Sequence, residues 1–353
     1  MSTSRLTGEL IERVLAAAPR LTIGVLGDLY LDRYLDLDAG LTEPSIETGL
    51  DAYQVVRVRA CPGAAGTVIN NLVSLGVGRV CPLAVIGDDG EGLELCRALA
   101  ALRGVGAAGV LSRADRRTPT YTKPMLHEPG GPARELNRLD IHNRAPLPAE
   151  TERELLDRLG ALWGELDGLV VLDQVRLPDC GVVTAGARRW LAERARGGPR
   201  PPVLADSRER IGLFQGVGLK PNARECLAAV GAGEGELTAA ARALAERAGS
   251  AVYCTRGEQG VLLAAPGGAV EEVPGFAVTG PTDPVGAGDS TSAGIICALA
   301  AGTSPAEAAA FGCLVASVTV SQIGTTGTAS PEQVRARWRE VAATRLHPSA
   351  PSG

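Results

Sequence analysis

The chain has 353 residues, 45% apolar and 21% charged, enough to bury a large core in one α/β domain. A net charge of −5 and an aromatic content of 3% exclude nucleic acid as a principal partner, because basic footprint and stacking platforms are both missing. No apolar run reaches membrane-spanning length, and the opening MSTSRLTGELIERVLAAAPR, with Glu9 and Glu12, does not read as a signal peptide, so the expectation is a cytoplasmic protein without a membrane partner.

In chain order, LTIGVLGD (21–28) reads as a buried strand ending in Gly-Asp. Residues 29–60 are extended and polar, and AYQVVRVRA turns Ala52, Val55 or Val56, and Val58 toward one side. A helix from 64 to 75 fits between Pro62-Gly63 and Gly76. RVCPLAVIG (79–87) is a strand, and EGLELCRALAAL after it is helical in pattern. GVGAAG (104–109) matches GxGxxG but lies between a helix and a strand, the reverse of a dinucleotide fingerprint. Residues 116–140 hold TPTYTKPM and a second strand-like piece about a Gly-Pro turn. DGLVVLD (167–173), PPVLAD (201–206) and SAVYCT (250–255) are short apolar strands separated by segments able to form helices.

This alternation predicts an α/β fold: a doubly wound, mostly parallel sheet with helices on both faces. Ligands collect at the carboxyl ends of such strands, where Asp28, Asp206 and Thr255 fall. Residues 29–60 and 116–140 interrupt the alternation and are expected to form a small β-sheet inserted into a domain of residues 1–345, followed by a disordered tail, 346–353. Eight scattered cysteines, with no CxxC and no metal-ligand spacing, read as free thiols in a reducing compartment.

Five stretches carry chemistry. DPVGAGDS (283–290) precedes a small, apolar run that starts a buried helix near Ala287. A helix N-terminus concentrates unpaired N–H groups and about half a positive charge, and glycines there admit an anion to the backbone. Asp289 alone reads equally as an acidic first-turn residue. CPGAAGTVINNLVSLG (61–76) is a glycine-rich turn entering a helix. LKPNARE (219–225) sets Asn222 and Glu225 three apart, as capping pair or metal ligands, and TRGEQG (255–260) is a donor-rich turn or a hairpin. SQIGTTGT (321–328) is a glycine and threonine loop. There is no GxxxxGK[ST] and no HxGH.

In the order and spacing of these motifs, residues 20–340 resemble the ribokinase-like (PfkB) carbohydrate kinases. Within that family the likeness is greatest to the kinase domain of D-glycero-D-manno-heptose 7-phosphate kinases, on GDLYLDRY (27–34), TPTYTK (118–123), LNRLD (136–140) and IGTTGT. The resemblance implies an ATP- and Mg²⁺-dependent kinase with a β-sheet lid that pairs two subunits. Asp289 would be the general base, and the N–H groups of Gly286, Ala287, Gly288 and Asp289 the anion hole. Lys220, Asn222, Glu225, Thr255, Gly257, Gly260 and Cys313 would line the ATP site, with Asn222 and Glu225 ordering Mg²⁺ mainly through water. Asp283 would sit beside a monovalent cation, K⁺. Asp28, Asp32, Arg33, Gly63, Thr67 and Lys123 would hold the acceptor, a sugar or sugar phosphate. Arg116, Arg117, Arg134 and Arg138 add lid charge suited to a phosphorylated acceptor.

The sequence departs from the family pattern at Thr67 and Cys313, where asparagine is usual, at Met125, where the heptose kinases have arginine, and at Pro284 and Val285 in DPVGAGD. A kinase of the same fold for a free sugar or nucleoside is the alternative, as is a silent binding protein that keeps the fold.

Overall fold

The structure, a computed structural model, describes residues 6–197, 201–324 and 326–346. The expected 346–353 tail lies, except for Leu346, outside the described residues.

The strands are β1 (Thr22–Gly27), β2 (Leu29–Pro44), β3 (Asp51–Ala64), β4 (Arg79–Gly87), β5 (Val110–Arg113), β6 (Thr120–His127), β7 (Arg134–Glu135), β8 (Leu139–Ile141), β9 (Gly168–Asp173), β10 (Val203–Ser207), β11 (Gly218–Leu219), β12 (Val252–Thr255), β13 (Val261–Ala264) and β14 (Glu271–Val273). Nine form one sheet in the order β14-β13-β12-β11-β10-β9-β1-β4-β5. It is parallel from β5 to β12, and β13 and β14 close one edge antiparallel.

Side-chain alternation along the strands splits the core in two. Ile23 and Val25 of β1, with Val170 and Leu172 of β9, join the helices Gly8–Ala17, Ala65–Ser74, Ala287–Ala300 and Pro305–Thr319 on one face. Leu26, Leu169 and Val171 point the other way, onto the helices Ala149–Leu162, Ala185–Arg196 and Leu237–Ala248. The doubly wound reading holds, and GVGAAG is a turn between the helix Gly90–Ala100 and β5.

The two interrupting stretches form a second sheet, β3-β2-β6-β7, with β8 also paired to β6. Only Asp28 separates β1 from β2, so the chain leaves the main sheet directly into this lid. Opposite residues in register share a face. Asp32 lies across from Cys61 and Tyr121, and Tyr34 from Arg59 and Lys123. On the other face Leu35 pairs with Val58 and Leu37 with Val55. A bulge at this point leaves Val56 as the extra residue and brings Val55 and Val58, three apart in sequence, to one side. All eight cysteines are free and six are buried. No helix of the described residues is long and apolar enough to cross a membrane.

Candidate active site

The helix Ala287–Ala300 starts as its sequence suggests. Its N-cap, Gly286, has φ +79°, and a Cβ there would stand 2.5 Å from the Thr326 methyl, so glycine is required by backbone and by space. The first turn points at a surface shared with the carboxyl ends of the central strands. Ala287 is not part of the anion hole, because its N–H donates to the Pro284 carbonyl at 3.1 Å. That leaves the N–H groups of Gly286, Gly288 and Asp289 for the expected anion hole.

Asp289 is half-buried. Burial, reinforced by the Asp206 carboxylate and opposed by Lys220 and Arg208, pushes its carboxyl up to about 7. That is the range in which a carboxylate works as a base at neutral pH. Beneath it, the buried Lys220 ammonium pairs with Asp206 at 2.8 Å and lies 3.6 Å from where a Cβ on Gly288 would stand. Burial pulls Lys220 down, but Asp206, with Asp289 and Glu225, holds it above its ordinary value and keeps it charged.

Both readings of LKPNARE meet in one geometry. Asn222 and Glu225 form a reciprocal capping box: Asn222 Oδ1 accepts from Glu225 N at 2.9 Å, and Glu225 Oε2 accepts from Asn222 N at 2.8 Å. Burial raises the Glu225 carboxyl against that hydrogen bond, with Asp206 adding to the rise. Thr255 is joined to this turn through an isolated bridge to Asn222, its N–H donating to the Pro221 carbonyl at 2.9 Å. TRGEQG is the β12–β13 hairpin turn. Gly260, at φ +87°, packs on the backbone of Val273 and Gly275 and closes that hairpin, a structural task rather than a phosphate contact. Gly257 is exposed in the same turn. Cys313 lies in the core on the helix Pro305–Thr319, and burial pushes its thiol up to about 12; it behaves as an apolar core residue. Asp283 ties two loops together, Oδ1 accepting from Val285 N at 3.0 Å and Oδ2 from Gly324 N at 3.2 Å.

A continuous path leads from here to the lid. The Thr67 methyl lies 3.7 Å from the would-be Gly286 Cβ, so the glycine-rich turn adjoins the anion hole. A Cβ on Gly63 would stand 2.7 Å from Asp32 Oδ2. Asp32 Oδ1 is 3.3 Å from Lys123 Nζ, which also donates to the Tyr34 hydroxyl at 3.2 Å and sits over that ring. Ala64, between Gly63 and the helix, has φ +52° and ψ −113°, strained for a residue with a Cβ.

Five residues expected on the acceptor side have other occupations. Asp28 is buried, and its carboxylate accepts from Val182 N (2.8 Å), Gln174 N (3.0 Å) and Val175 N (3.2 Å). It clamps the point where β1 hands over to β2. Burial still raises its carboxyl to about 6, against those hydrogen bonds and with the Asp173 charge adding to the rise. Arg33 points to the opposite lid face and pairs with Glu94 at 2.9 Å. Arg116 is buried and donates to the carbonyls of Ala145, Pro146 and Cys180. Arg117 pairs with Asp89 and Glu91, and Arg138 with Asp140 while covering the Tyr121 ring. Lys123 is the expected lid cation held beside Asp32. Asp206, Thr326 and Tyr34 have no role in the sequence reading, although Asp206 falls at a strand end, Thr326 within SQIGTTGT and Tyr34 within GDLYLDRY.

A family profile described as "pfkB family carbohydrate kinase" matches residues 218–333. Over 317 residues the chain is 32% identical to the bifunctional protein HldE of Pelobacter propionicus, covering 88% of this chain and 62% of that one. Over 336 residues it is 32% identical to HldE of Pseudomonas savastanoi pv. phaseolicola, covering 91% and 64%. The chain thus spans less than two thirds of these relatives. In three dimensions it is similar to Arabidopsis thaliana ribokinase complexed with ribose and ATP, with a TM-score of 0.65, 16% identity and coverage of 90% and 98%. It is also similar to Escherichia coli phosphofructokinase-2 in complex with potassium, with a TM-score of 0.67, 18% identity and coverage of 91% and 99%.

Proposed function

The chain belongs to the pfkB family of carbohydrate kinases, and we propose that it transfers the γ-phosphoryl group of ATP to a hydroxyl of a sugar phosphate, with a heptose 7-phosphate-like acceptor favoured. The observation that carries this reading is Asp289, a carboxyl raised to about 7 in the first turn of a helix whose N-terminus opens between Thr67 and Lys220. Asp289 takes the proton of the attacking hydroxyl. The Gly286, Gly288 and Asp289 N–H groups face the oxygens of the phosphoryl group, where positioning and charge stabilisation do most of the work. Thr255 and Gly257 approach the nucleotide phosphates.

Asn222 and Glu225 would hold Mg²⁺ through water. Glu225 has Oε1 left over from the capping box, and no cluster of three ligating side chains occurs among the described residues. A small hard cation that keeps its waters and takes phosphate oxygens fits a single carboxylate; when bound it neutralises charge on the triphosphate. Asp283 would stand beside a monovalent cation, a role consistent with its position between two backbone loops.

Asp32, Gly63, Thr67 and Lys123 form the acceptor side. Lys123 supports the phosphorylated acceptor. Burial works against its ammonium, yet Asp32 and Tyr34 keep it charged. The resemblance to heptose 7-phosphate kinases in GDLYLDRY and TPTYTK adds to this, and Met125 weighs against it. We place the enzyme in the cytoplasm as a homodimer through the lid.

Coupled ADP release across matched pairs of sugars and sugar phosphates tests the reading. Higher kcat/KM is expected for the phosphorylated member, with Lys123→Ala losing that preference. Preference for free sugars, with no selective loss in Lys123→Ala, would select the free-sugar alternative. Absence of ATP turnover with every acceptor in the panel would return the chain to the binding-protein reading.

A further inference from the structure

We propose that Arg208 binds the transferring phosphoryl group from the acceptor side, opposite the N-terminus of the helix Ala287–Ala300. The inference rests on the kinase reading above. Arg208 directly follows β10, and its N–H donates to the Asp173 carbonyl at 3.2 Å, which pins its backbone at the carboxyl ends of β9 and β10. Two residues earlier Asp206 holds Lys220 at 2.8 Å, and Lys220 Nζ is 3.6 Å from the Cβ position of Gly288. A chain of packed groups therefore connects the β10 end to the anion hole.

The Arg208 side chain is exposed and has neither an ion pair nor a side-chain hydrogen bond to any described residue. The other cations at these strand ends are committed, Lys220 to Asp206 and Arg210 to Asp173. The charge of Arg208 nevertheless reaches both Asp289 and the Tyr30 hydroxyl, on β2 where the lid begins. Arg208 thus stands at the strand ends that carry the Asp206–Lys220 pair, two residues beyond Asp206, with its charge acting on the base.

The chemistry calls for such a group. Charge spreads over the equatorial oxygens of the moving phosphoryl, the helix end supplies about half a unit of positive charge, and Lys220 is neutralised by Asp206. A guanidinium offers a planar fork of donors to phosphate oxygens and stays charged throughout. A phosphate on the acceptor itself lies a sugar's length from the base, where it meets Lys123. Arg208 is near the base and so meets the group in flight.

The test uses the full chain and an acceptor from the matched panel that the wild-type enzyme turns over. Arg208→Ala is expected to lower kcat about a hundredfold, the order found when one preorganised donor is lost, with KM for ATP and acceptor little changed. The acid limb of its kcat/KM profile should move to higher pH, because Asp289, faced by Asp206, Lys220 and Arg208, loses one of two cations. Guanidinium ion in solution should restore part of kcat in Arg208→Ala and leave wild type unaffected, which a loop-supporting residue would not show. Arg208→Lys should fall between the two. Wild-type kcat in Arg208→Ala, or a loss confined to KM for phosphorylated acceptors, overturns the assignment and leaves the kinase reading intact. No transfer by wild type to any acceptor removes the kinase reading and this inference with it.

Discussion

Asp289 carries opposite demands of stability and chemistry. Its folded carboxyl titrates near 7, against 3.8 for the unfolded reference, so the native state binds the extra proton between those values. Stability therefore declines as pH rises through that window and is fully lost from this source above pH 7. Asp289→Asn should raise the melting temperature at pH 8 and leave it unchanged at pH 4. The same substitution should reduce kcat by about 10²–10⁴, the usual cost of losing a general base. In wild type, kcat/KM should fall below pH 7 with unit slope. A flat profile from pH 5 to 8, or full turnover in Asp289→Asn, would remove Asp289 from the role.

At the scale of elements, the helix that presents Asp289 is held by close packing against Pro305–Thr319. A Cβ on Gly294 would lie 2.8 Å from the Gly312 Cα and 3.2 Å from a Val315 methyl. Backbone cannot yield as a flexible side chain would. Gly294→Ala gains about 1 kcal/mol of helix propensity, but forcing a methyl into a packed interface costs about 1–3 kcal/mol. The strain should win: a lower denaturation midpoint is expected, with kcat reduced as the first turn shifts. A stability gain would show that the two helices separate without cost. The lid strands show the opposite economy. Asp28 collects three backbone N–H groups at the hinge, and the lid beyond it is held by pairs such as Arg59–Asp36, which keeps the Asp36 carboxyl down at about 2.

At the scale of the molecule, β2 and β3 run 16 and 14 residues and carry apolar side chains outward. Val55, Val56 and Val58 are 46–57% exposed, and Leu41 and Leu50 more than half. A thin sheet gains little by leaving such a row in water, and a twofold partner would cover the same row twice. Sedimentation equilibrium should therefore give a dimer at micromolar concentration, and Val55→Asp with Val58→Asp should give a monomer. A wild-type monomer would sink the lid dimer. The bulge at Val56 makes this face apolar, and alternation alone left open whether Val55 or Val56 belonged to it.

Periodicity and glycine placement by themselves determined the doubly wound sheet, the two lid insertions, the buried helix after GAGD and the position of Asp289 at its start. These are local signals: strand length, a period of two, and a cap that only glycine fits. Side-chain availability was decided by tertiary structure. Asp28 and Asp32 look alike in GDLYLDRY and both are buried, yet one is consumed by N–H groups from residues 174–182 and the other is paired with Lys123 beside Gly63. Arg116 reads as lid charge for a phosphorylated acceptor, yet three carbonyls distant in sequence hold it buried, while Arg208, which no motif marks, stays exposed. Asp206 gained its place from Lys220, fourteen residues on, across adjacent parallel strands. Which polar groups remain free depends on partners brought from afar, and a sequence fixes those only through the fold it adopts.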